Sequence, residues 1–293
     1  MAGSWRPVAD ERMIEGRRSR TAERVAIRRA AHQVLDRPLI FEDPLALKIL
    51  SDEARERLRA EAEAENNNPW GRGLRIFLVT RSRFAEEELA RAVEQGVRQY
   101  VVLGAGLDTF AYRNPFRELR VFEVDHPETQ AWKRKQLELA GIAVPESMHF
   151  APVDFERDTL QHGLEAVGFR CEEPAFFAWL GVVPYLTREA AFSTLQFVAA
   201  LPPRSGVAFD YAIPREMLTE TERRAFDLLA ERVARAGEPF RLFLRPDELE
   251  AELRAMGFNQ IEDLDGTAIR ARWFPEAAEQ SRPRRAGLLC ARV

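Results

Sequence analysis

The chain has 293 residues, of which 46% are hydrophobic, and its formal net charge is -4. This length allows one large α/β domain with additions or two small domains, and we favour the first. The slight negative charge gives no general attraction to nucleic acid, and no apolar run is long enough to span a bilayer. Residues 1–6 lack the apolar core of a signal peptide, so we expect a cytoplasmic protein without a membrane partner.

The first third of the chain has helical patterns. Residues 1–20 are polar and basic without periodicity and predict a mobile arm. Apolar residues then recur at helical spacing behind Thr21, the predicted N-cap. Asp43 and the proline after it predict the start of a second helix, a charged helix follows, and one long helix is predicted over residues 74–95. We therefore expect residues 1–95 to form an arm and a helical cap.

Strand and helix patterns alternate in the rest of the chain, residues 96–293. Short apolar runs predict seven strands, at residues 100–103, 120–124, 149–152, 175–179, 207–211, 257–264 and 286–293. The alternation predicts an α/β core domain with a Rossmann-like, mostly parallel sheet and right-handed crossovers. Residues 214–246 hold an extra helix, which we interpret as a helical insertion and a lid over the cleft.

The first predicted strand ends in Gly104, Ala105 and Gly106. Glycines at a strand end let the main chain turn sharply and approach a ligand without a Cβ in the way. In an α/β sheet, that end of the strand is where nucleotide-like cofactors bind. The dinucleotide fingerprint needs a third glycine, and Thr109 occupies its place, so a nicotinamide enzyme is disfavoured but stays an alternative.

Acidic residues follow the next two predicted strands. Asp125 stands about twenty residues beyond the first glycine, where a carboxylate can hydrogen-bond a ribose, although it could also cap the next helix. Asp154 and Phe155 end the third strand, where they could contact an adenine amino group and ring, although Asp154 could also be an N-cap or a solvated acid. Glycine, acid and acid at successive strand ends suit an adenosine without a pyrophosphate. The pattern favours S-adenosylmethionine over NAD.

Several motifs together resemble the bacterial branch of the leucine carboxyl methyltransferase family. They are the segments at residues 102–113, 123–127 and 179–187, with N-terminal signatures at residues 21–30 and 43–46. The family belongs to the class I S-adenosylmethionine-dependent methyltransferases, with a seven-stranded sheet and a helical N-terminal cap. The resemblance implies that Gly104 and its neighbours lie against the methionine part, Asp125 holds the ribose, and Asp154 with Phe155 holds the adenine.

The same resemblance assigns Arg81 to the methionine carboxylate, a role that suits a guanidinium fork. From the residues alone, Arg81 would be interpreted as a surface arginine. Two positions depart from the family pattern. Relatives often have Glu where Leu180 stands, which puts a side-chain contact there in doubt, and Arg where Phe110 stands, which bears on substrate choice.

Methyl transfer from a sulfonium is an in-line displacement, so positioning matters more than protein nucleophiles. The recognised motifs contain no obvious catalytic base, which favours a carboxylate acceptor because it is already ionised at neutral pH. Tyr112, Arg113 and Tyr185 are candidate substrate-pocket residues, and neither the histidines nor the cysteines have metal-ligand spacing.

We therefore expect an S-adenosylmethionine-dependent O-methyltransferase that acts on a carboxylate or hydroxyl of a small molecule, of the secondary-metabolite type. Three alternatives stay open. They are methylation of a protein's C-terminal carboxylate, a nicotinamide oxidoreductase, and a cofactor-binding protein without catalysis.

Overall fold

A computed structural model of the chain describes residues 20–154, 159–235, 237–274 and 286–293. Nearly all of the predicted arm, and Phe155, lie outside these described residues. Seven strands form one sheet in the order β3-β2-β1-β4-β5-β7-β6. Their bounds are β1 Gln99–Leu103, β2 Arg120–Asp125, β3 Met148–Pro152, β4 Ala175–Trp179, β5 Gly206–Ala212, β6 Gln260–Leu264 and β7 Ala286–Arg292. All pairings are parallel except those of β7 with β5 and β6, which confirms the predicted fold class.

Three of the described helices precede the first strand in sequence, and the other six lie between later strands. They are α1 Arg20–Leu35, α2 Asp52–Asn67, α3 Pro69–Glu94, α4 Pro127–Leu139, α5 Leu160–Glu165, α6 Arg188–Ala199, α7 Glu220–Ala234, α8 Pro246–Met256 and α9 Gly266–Trp273. Helix α7 lies within the predicted insertion. Helix α9 has no counterpart in the sequence-based prediction.

Apolar side chains cover both faces of the sheet. On one face, Phe177 and Phe209 pack with residues of α6 and α8, and on the other, Tyr100 and Phe176 pack with residues of α3. Strands β1, β4 and β5 are buried along their whole length, as expected for parallel strands between two helical layers. A third apolar cluster joins α1 and α2 to Leu107, in the loop after β1.

Two details of the predicted N-terminal region are wrong. Thr21 lies inside α1 and is not its N-cap, because the helix already includes Arg20. The residues after Asp43 form hydrogen-bonded turns at positions 44–49 instead of a helix. The Asp43 carboxylate accepts a hydrogen bond from the Leu45 N–H at 3.1 Å, which is the contact of an N-cap, but no helix continues from it.

Within the described residues, no helix is both long and apolar enough to cross a membrane. The same part of the chain holds no group of three or more His, Cys, Asp or Glu side chains placed to bind a metal ion. Cys171 and Cys290 are free thiols.

Candidate functional site

A cavity of about 1000 Å³ opens at the carboxyl ends of β1, β2 and β4. Because β1 lies between β2 and β4, the chain crosses over in opposite directions on the two sides of β1. This is the switch point at which open α/β sheets bind ligands. The structure brings six of the predicted site residues to the cavity wall, namely Arg81, Gly104, Ala105, Gly106, Asp125 and Tyr185.

The glycine turn needs glycine at both ends. Gly104 and Gly106 have φ values of 65° and 45°, in the left-handed region that residues with a Cβ avoid. A Cβ on Gly104 would lie 2.4 Å from a methyl group of Val182, and one on Gly106 would lie 3.0 Å from the Cβ of Ala22. Helix α1 and the loop after β4 therefore approach the turn so closely that larger residues cannot stand there.

The carboxylate of Asp125 lies at the end of β2, against the glycine turn. Its Oδ2 accepts a hydrogen bond from Gly106 N–H at 2.7 Å, and its Oδ1 accepts one from His126 N–H at 2.8 Å. The N-cap of α4 is His126, whose Nδ1 accepts from Glu128 N–H, so the alternative capping role does not describe Asp125. Burial raises the pKa of Asp125, although both N–H donors oppose the rise. Each oxygen keeps the capacity to accept a further hydrogen bond from a ligand.

Arg81 is a buried residue of α3, in contrast to the surface arginine that its sequence context alone suggests. Its Nη1 donates to Oδ2 of Asp210 at 3.0 Å, and Oδ1 of Asp210 accepts from Gly181 N–H at 2.5 Å. Among the described residues, nothing accepts a hydrogen bond from Nε or Nη2 of Arg81. One edge of this guanidinium on the cavity wall is therefore available to a carboxylate.

The structure does not bring Tyr112 and Arg113, the other two predicted pocket residues, to the described cavity wall. The Tyr112 hydroxyl donates to Glu123 at 3.2 Å, and Arg113 binds both oxygens of Glu86, at 2.8 and 2.5 Å. Glu123 is buried, whereas Glu86 is a partly buried residue of the cavity wall, so Arg113 is bound to the wall without lining it.

Asp154 follows β3 and is also absent from the described cavity wall. Leu180 does line the cavity, so this departure from the family pattern places an apolar side chain at the site. Phe110 is buried against the Tyr100 ring, with the ring centroids 4.9 Å apart.

Tyr185 lines the cavity close to Arg81 and Asp210. Burial raises the pKa of Tyr185 to about 12, although the Arg81 charge opposes the rise. The hydroxyl is therefore protonated at neutral pH and can donate a hydrogen bond to a ligand.

A buried polar network around Arg29 was not predicted from sequence. Arg29 Nη2 donates to Asp43 at 2.5 Å and to the Thr109 hydroxyl at 2.9 Å, and Nη1 donates to Asp108 at 3.3 Å. Burial alone would raise the pKa of Asp108, but the Arg29 charge and other cations hold it below its usual value. The network connects α1 to the loop after β1, and Arg29 and Asp108 lie on the cavity wall. Arg29 and Asp43 stand in the N-terminal motifs that carry the family resemblance. The resemblance was therefore the signal that could have pointed to this network.

The end of the insertion closes another side of the cavity. Described residues between 234 and 241 belong to its wall. The N–H groups of Arg241 and Leu242 donate to the carbonyl of Pro184 at 2.7 and 3.1 Å, and the Phe240 ring lies 5.2 Å from that of Tyr185. The segment after α7 is thus held against the loop after β4.

Comparison with known proteins agrees with this architecture. A family model described as leucine carboxyl methyltransferase matches residues 22–199. A Bacillus subtilis (strain 168) protein named "Putative S-adenosyl-L-methionine-dependent methyltransferase YktD" is 32% identical over 271 residues, which cover 85% of this chain and 89% of that protein.

Two crystal structures share the fold at a TM-score of 0.54. A duf574 family protein from Streptomyces avermitilis is 15% identical, with 92% of this chain and 96% of that one covered. A protein described as a "putative methyltransferase" from Thermobifida fusca is 20% identical, with 85% and 92% covered. The chain therefore belongs to the leucine carboxyl methyltransferase family of S-adenosyl-L-methionine-dependent methyltransferases, which confirms the family, the enzyme class and the cofactor predicted from sequence.

Proposed function

We propose that this chain is an O-methyltransferase that methylates a carboxylate or a hydroxyl of a small molecule, of the secondary-metabolite type. The observation that supports it best is that the glycine turn, Asp125 and Arg81 meet at one cavity. A nucleoside-binding corner and a carboxylate-binding guanidinium then share one space, as a cofactor with both a ribose and an amino-acid part requires.

The residues of the cavity fit S-adenosylmethionine. Asp125 would accept hydrogen bonds from the ribose, and the turn from Gly104 to Gly106 would lie against the methionine part. Arg81 would bind the carboxylate through its Nε and Nη2 edge. Arg75 uses the same edge within this chain, since its Nε and Nη2 donate to the two oxygens of Asp36 at 2.7 and 2.9 Å. Asp154 and Phe155 remain our proposed adenine contacts.

Two acids of the cavity wall, Glu86 and Asp108, are paired with arginines, and this pairing favours an acceptor that is already ionised. When bound, S-adenosylmethionine supplies a methyl group to the attacking oxygen, and its sulfur keeps the electron pair of the broken S–C bond. A carboxylic acid with a pKa near 4 is ionised at neutral pH, whereas a phenol with a pKa near 10 needs a base. Burial raises the pKa of Glu86, a cavity residue, but Arg113 binds both of its oxygens. Asp108 is likewise paired with Arg29, so neither acid is a strong candidate base.

The size and cover of the cavity favour a small acceptor. Its volume of about 1000 Å³ is at the upper end of the range of about 300–1,000 Å³ for a single ligand, which leaves room for a second small molecule beside the cofactor. With residues 1–95 as the proposed cap, α1 and the described wall residues between 234 and 241 would cover the cleft and exclude water. The protonated Tyr185 hydroxyl would donate a hydrogen bond to an acceptor carboxylate.

The proposal can be tested with S-adenosylmethionine that carries a tritium-labelled methyl group. The protein is incubated with a panel of small carboxylic acids, a panel of phenols, and a peptide that ends in leucine. Mild alkali releases methanol from a methyl ester but leaves an aryl methyl ether intact, so it distinguishes the two acceptors. We expect alkali-labile label in a small acid. Label in the peptide alone would support the protein-methylating alternative.

A further inference from the structure

Asp210 contacts two parts of the cavity wall without lining the cavity itself. It is 5% exposed, and it lies on β5. One of its oxygens accepts from Arg81 of α3 at 3.0 Å, and the other accepts from the N–H of Gly181, just after β4, at 2.5 Å. A single buried carboxylate therefore joins a helix and a loop on two sides of the cavity.

Gly181 restrains the same guanidinium through its backbone. Its φ is 71°, and a Cβ there would lie 2.6, 2.8 and 3.0 Å from Nη2, Nη1 and Cζ of Arg81. The guanidinium thus lies directly against this glycine, while Asp210 binds its Nη1 atom. These two contacts restrain a long side chain that would otherwise lose conformational freedom when a ligand binds.

We propose that Asp210 and Gly181 are positioning residues, which hold Arg81 ready for the carboxylate of the cofactor's amino-acid part. The inference rests on the proposed function, because it takes Arg81 as the group that binds this carboxylate. Asp210 leaves Nε and Nη2 of Arg81 unused, and the same two atoms bind a carboxylate side-on in the Arg75–Asp36 pair. Substitution of Asp210 or Gly181 would then weaken the binding of a ligand through its amino-acid part and leave the contacts of its nucleoside part largely unchanged.

Two ligands separate this role from a general structural one. S-Adenosylhomocysteine has the amino-acid part, whereas 5′-methylthioadenosine keeps the nucleoside and the thioether but has no carboxylate. Calorimetric titrations with both ligands would compare the wild type with Asp210→Asn and Gly181→Ala. Asp263→Asn is the matched control, because Asp263 accepts a hydrogen bond from Tyr211, the neighbour of Asp210, at 2.7 Å and lies outside the described cavity wall.

We expect Asp210→Asn and Gly181→Ala to weaken S-adenosylhomocysteine binding about tenfold and to change methylthioadenosine binding less than about twofold. The control variant, Asp263→Asn, should change the affinity for neither ligand. Equal weakening of both ligands, or no change in either, would overturn the inference while leaving the proposed function intact. A wild type that binds neither ligand would overturn the proposed function and this inference with it. Circular dichroism first checks that each variant folds, because an alanine at position 181 is strained at its φ of 71°. Asp210→Asn keeps the shape of the side chain and decides if Gly181→Ala does not fold.

Discussion

The backbone N–H of Gly106 donates a 2.7 Å hydrogen bond to Oδ2 of Asp125, so the ends of β1 and β2 are joined at the glycine turn. Because this bond fixes the carboxylate beside the cavity, a ligand meets an acceptor that is already oriented. The same contact explains how residues nineteen positions apart can act as one corner of a binding site.

We predict that Asp125→Ala weakens S-adenosylhomocysteine binding by about 1–3 kcal/mol, because a buried acceptor for the ribose is lost. Isothermal titration calorimetry measures the change directly. Glu118→Ala is a suitable control, since the Glu118 side chain is 80% exposed and precedes β2 at the opposite end of the strand. An unchanged dissociation constant for Asp125→Ala would remove Asp125 from the site.

The Arg29 network should contribute to stability. Arg29→Met removes the nearer of two guanidinium partners of the fully buried Asp43 carboxylate, which keeps Arg113 at 3.5 Å, so we expect a loss of about 1.5–3 kcal/mol in the free energy of unfolding. Urea denaturation checks this value. The exposed pair of Arg55 and Asp52 supplies the control, because Arg55→Met should cost no more than about 1 kcal/mol. Equal losses in the two variants would show that the buried network does not stabilise the cap.

The environment of Asp36 leads us to predict that the free energy of unfolding depends on pH. Burial alone would raise the pKa of Asp36, but hydrogen bonds from Arg75 and His32 hold it well below its usual value. His32 can donate through Nδ1 because its Nε2 accepts from the N–H groups of Ile40 and Phe41.

A carboxyl group whose pKa is lowered by folding stabilises the protein above its unfolded pKa, and the contribution is lost as the pH falls through the folded pKa. We expect Asp36→Asn to lower the free energy of unfolding by about 1.5–3 kcal/mol at pH 7, because Arg75 and His32 lose their hydrogen bonds to an ionised acceptor. As the pH falls below about 3.9 the wild type begins to lose this contribution, and the loss is complete only below the lowered pKa of the folded state, so the difference between the two proteins should shrink steadily with falling pH. Urea unfolding at pH 7 and at several pH values from about 4 down to about 2 tests this, and a constant difference would contradict it.

The two tyrosines that were predicted together should behave differently. Tyr185→Phe removes a protonated hydroxyl from the cavity wall, and we expect the KM for the acceptor to rise about fivefold to tenfold, with little change in cofactor binding. Tyr112→Phe is the matched control, since the Tyr112 hydroxyl donates to Glu123 away from the cavity. Steady-state kinetics with an identified acceptor measure both variants. The same KM in Tyr185→Phe and the wild type would exclude a contact between Tyr185 and the acceptor.

The sheet could be predicted well because its strands are short, apolar and separated by clear breaks. The bounds of β4 are the predicted ones, and every strand was placed. The prediction of a helix after Asp43 is wrong, because this short segment forms only turns. Its hydrogen bonds run from the Ala46 N–H to the Asp43 carbonyl and from the Ile49 N–H to the Leu45 carbonyl. So few hydrogen bonds do not offset the cost of nucleating a helix.

The site could be predicted where its residues are close in sequence and follow a strand, as Gly104, Gly106 and Asp125 do. Arg81 needed the family resemblance, because its partner Asp210 is 129 residues away and stands in no motif. The Arg29 network was not predicted for the same reason, since Arg29 and Thr109 are 80 residues apart. Contacts of this kind depend on how the cap packs on the sheet, and no local pattern contains that information.

The most direct test of the account is a crystal structure of the chain with S-adenosylhomocysteine. We predict that the ligand occupies the cavity at the ends of β1, β2 and β4, with its ribose hydroxyls on Asp125 and its carboxylate on Arg81. A ligand bound elsewhere, or a cavity filled by the protein's own side chains, would contradict the account.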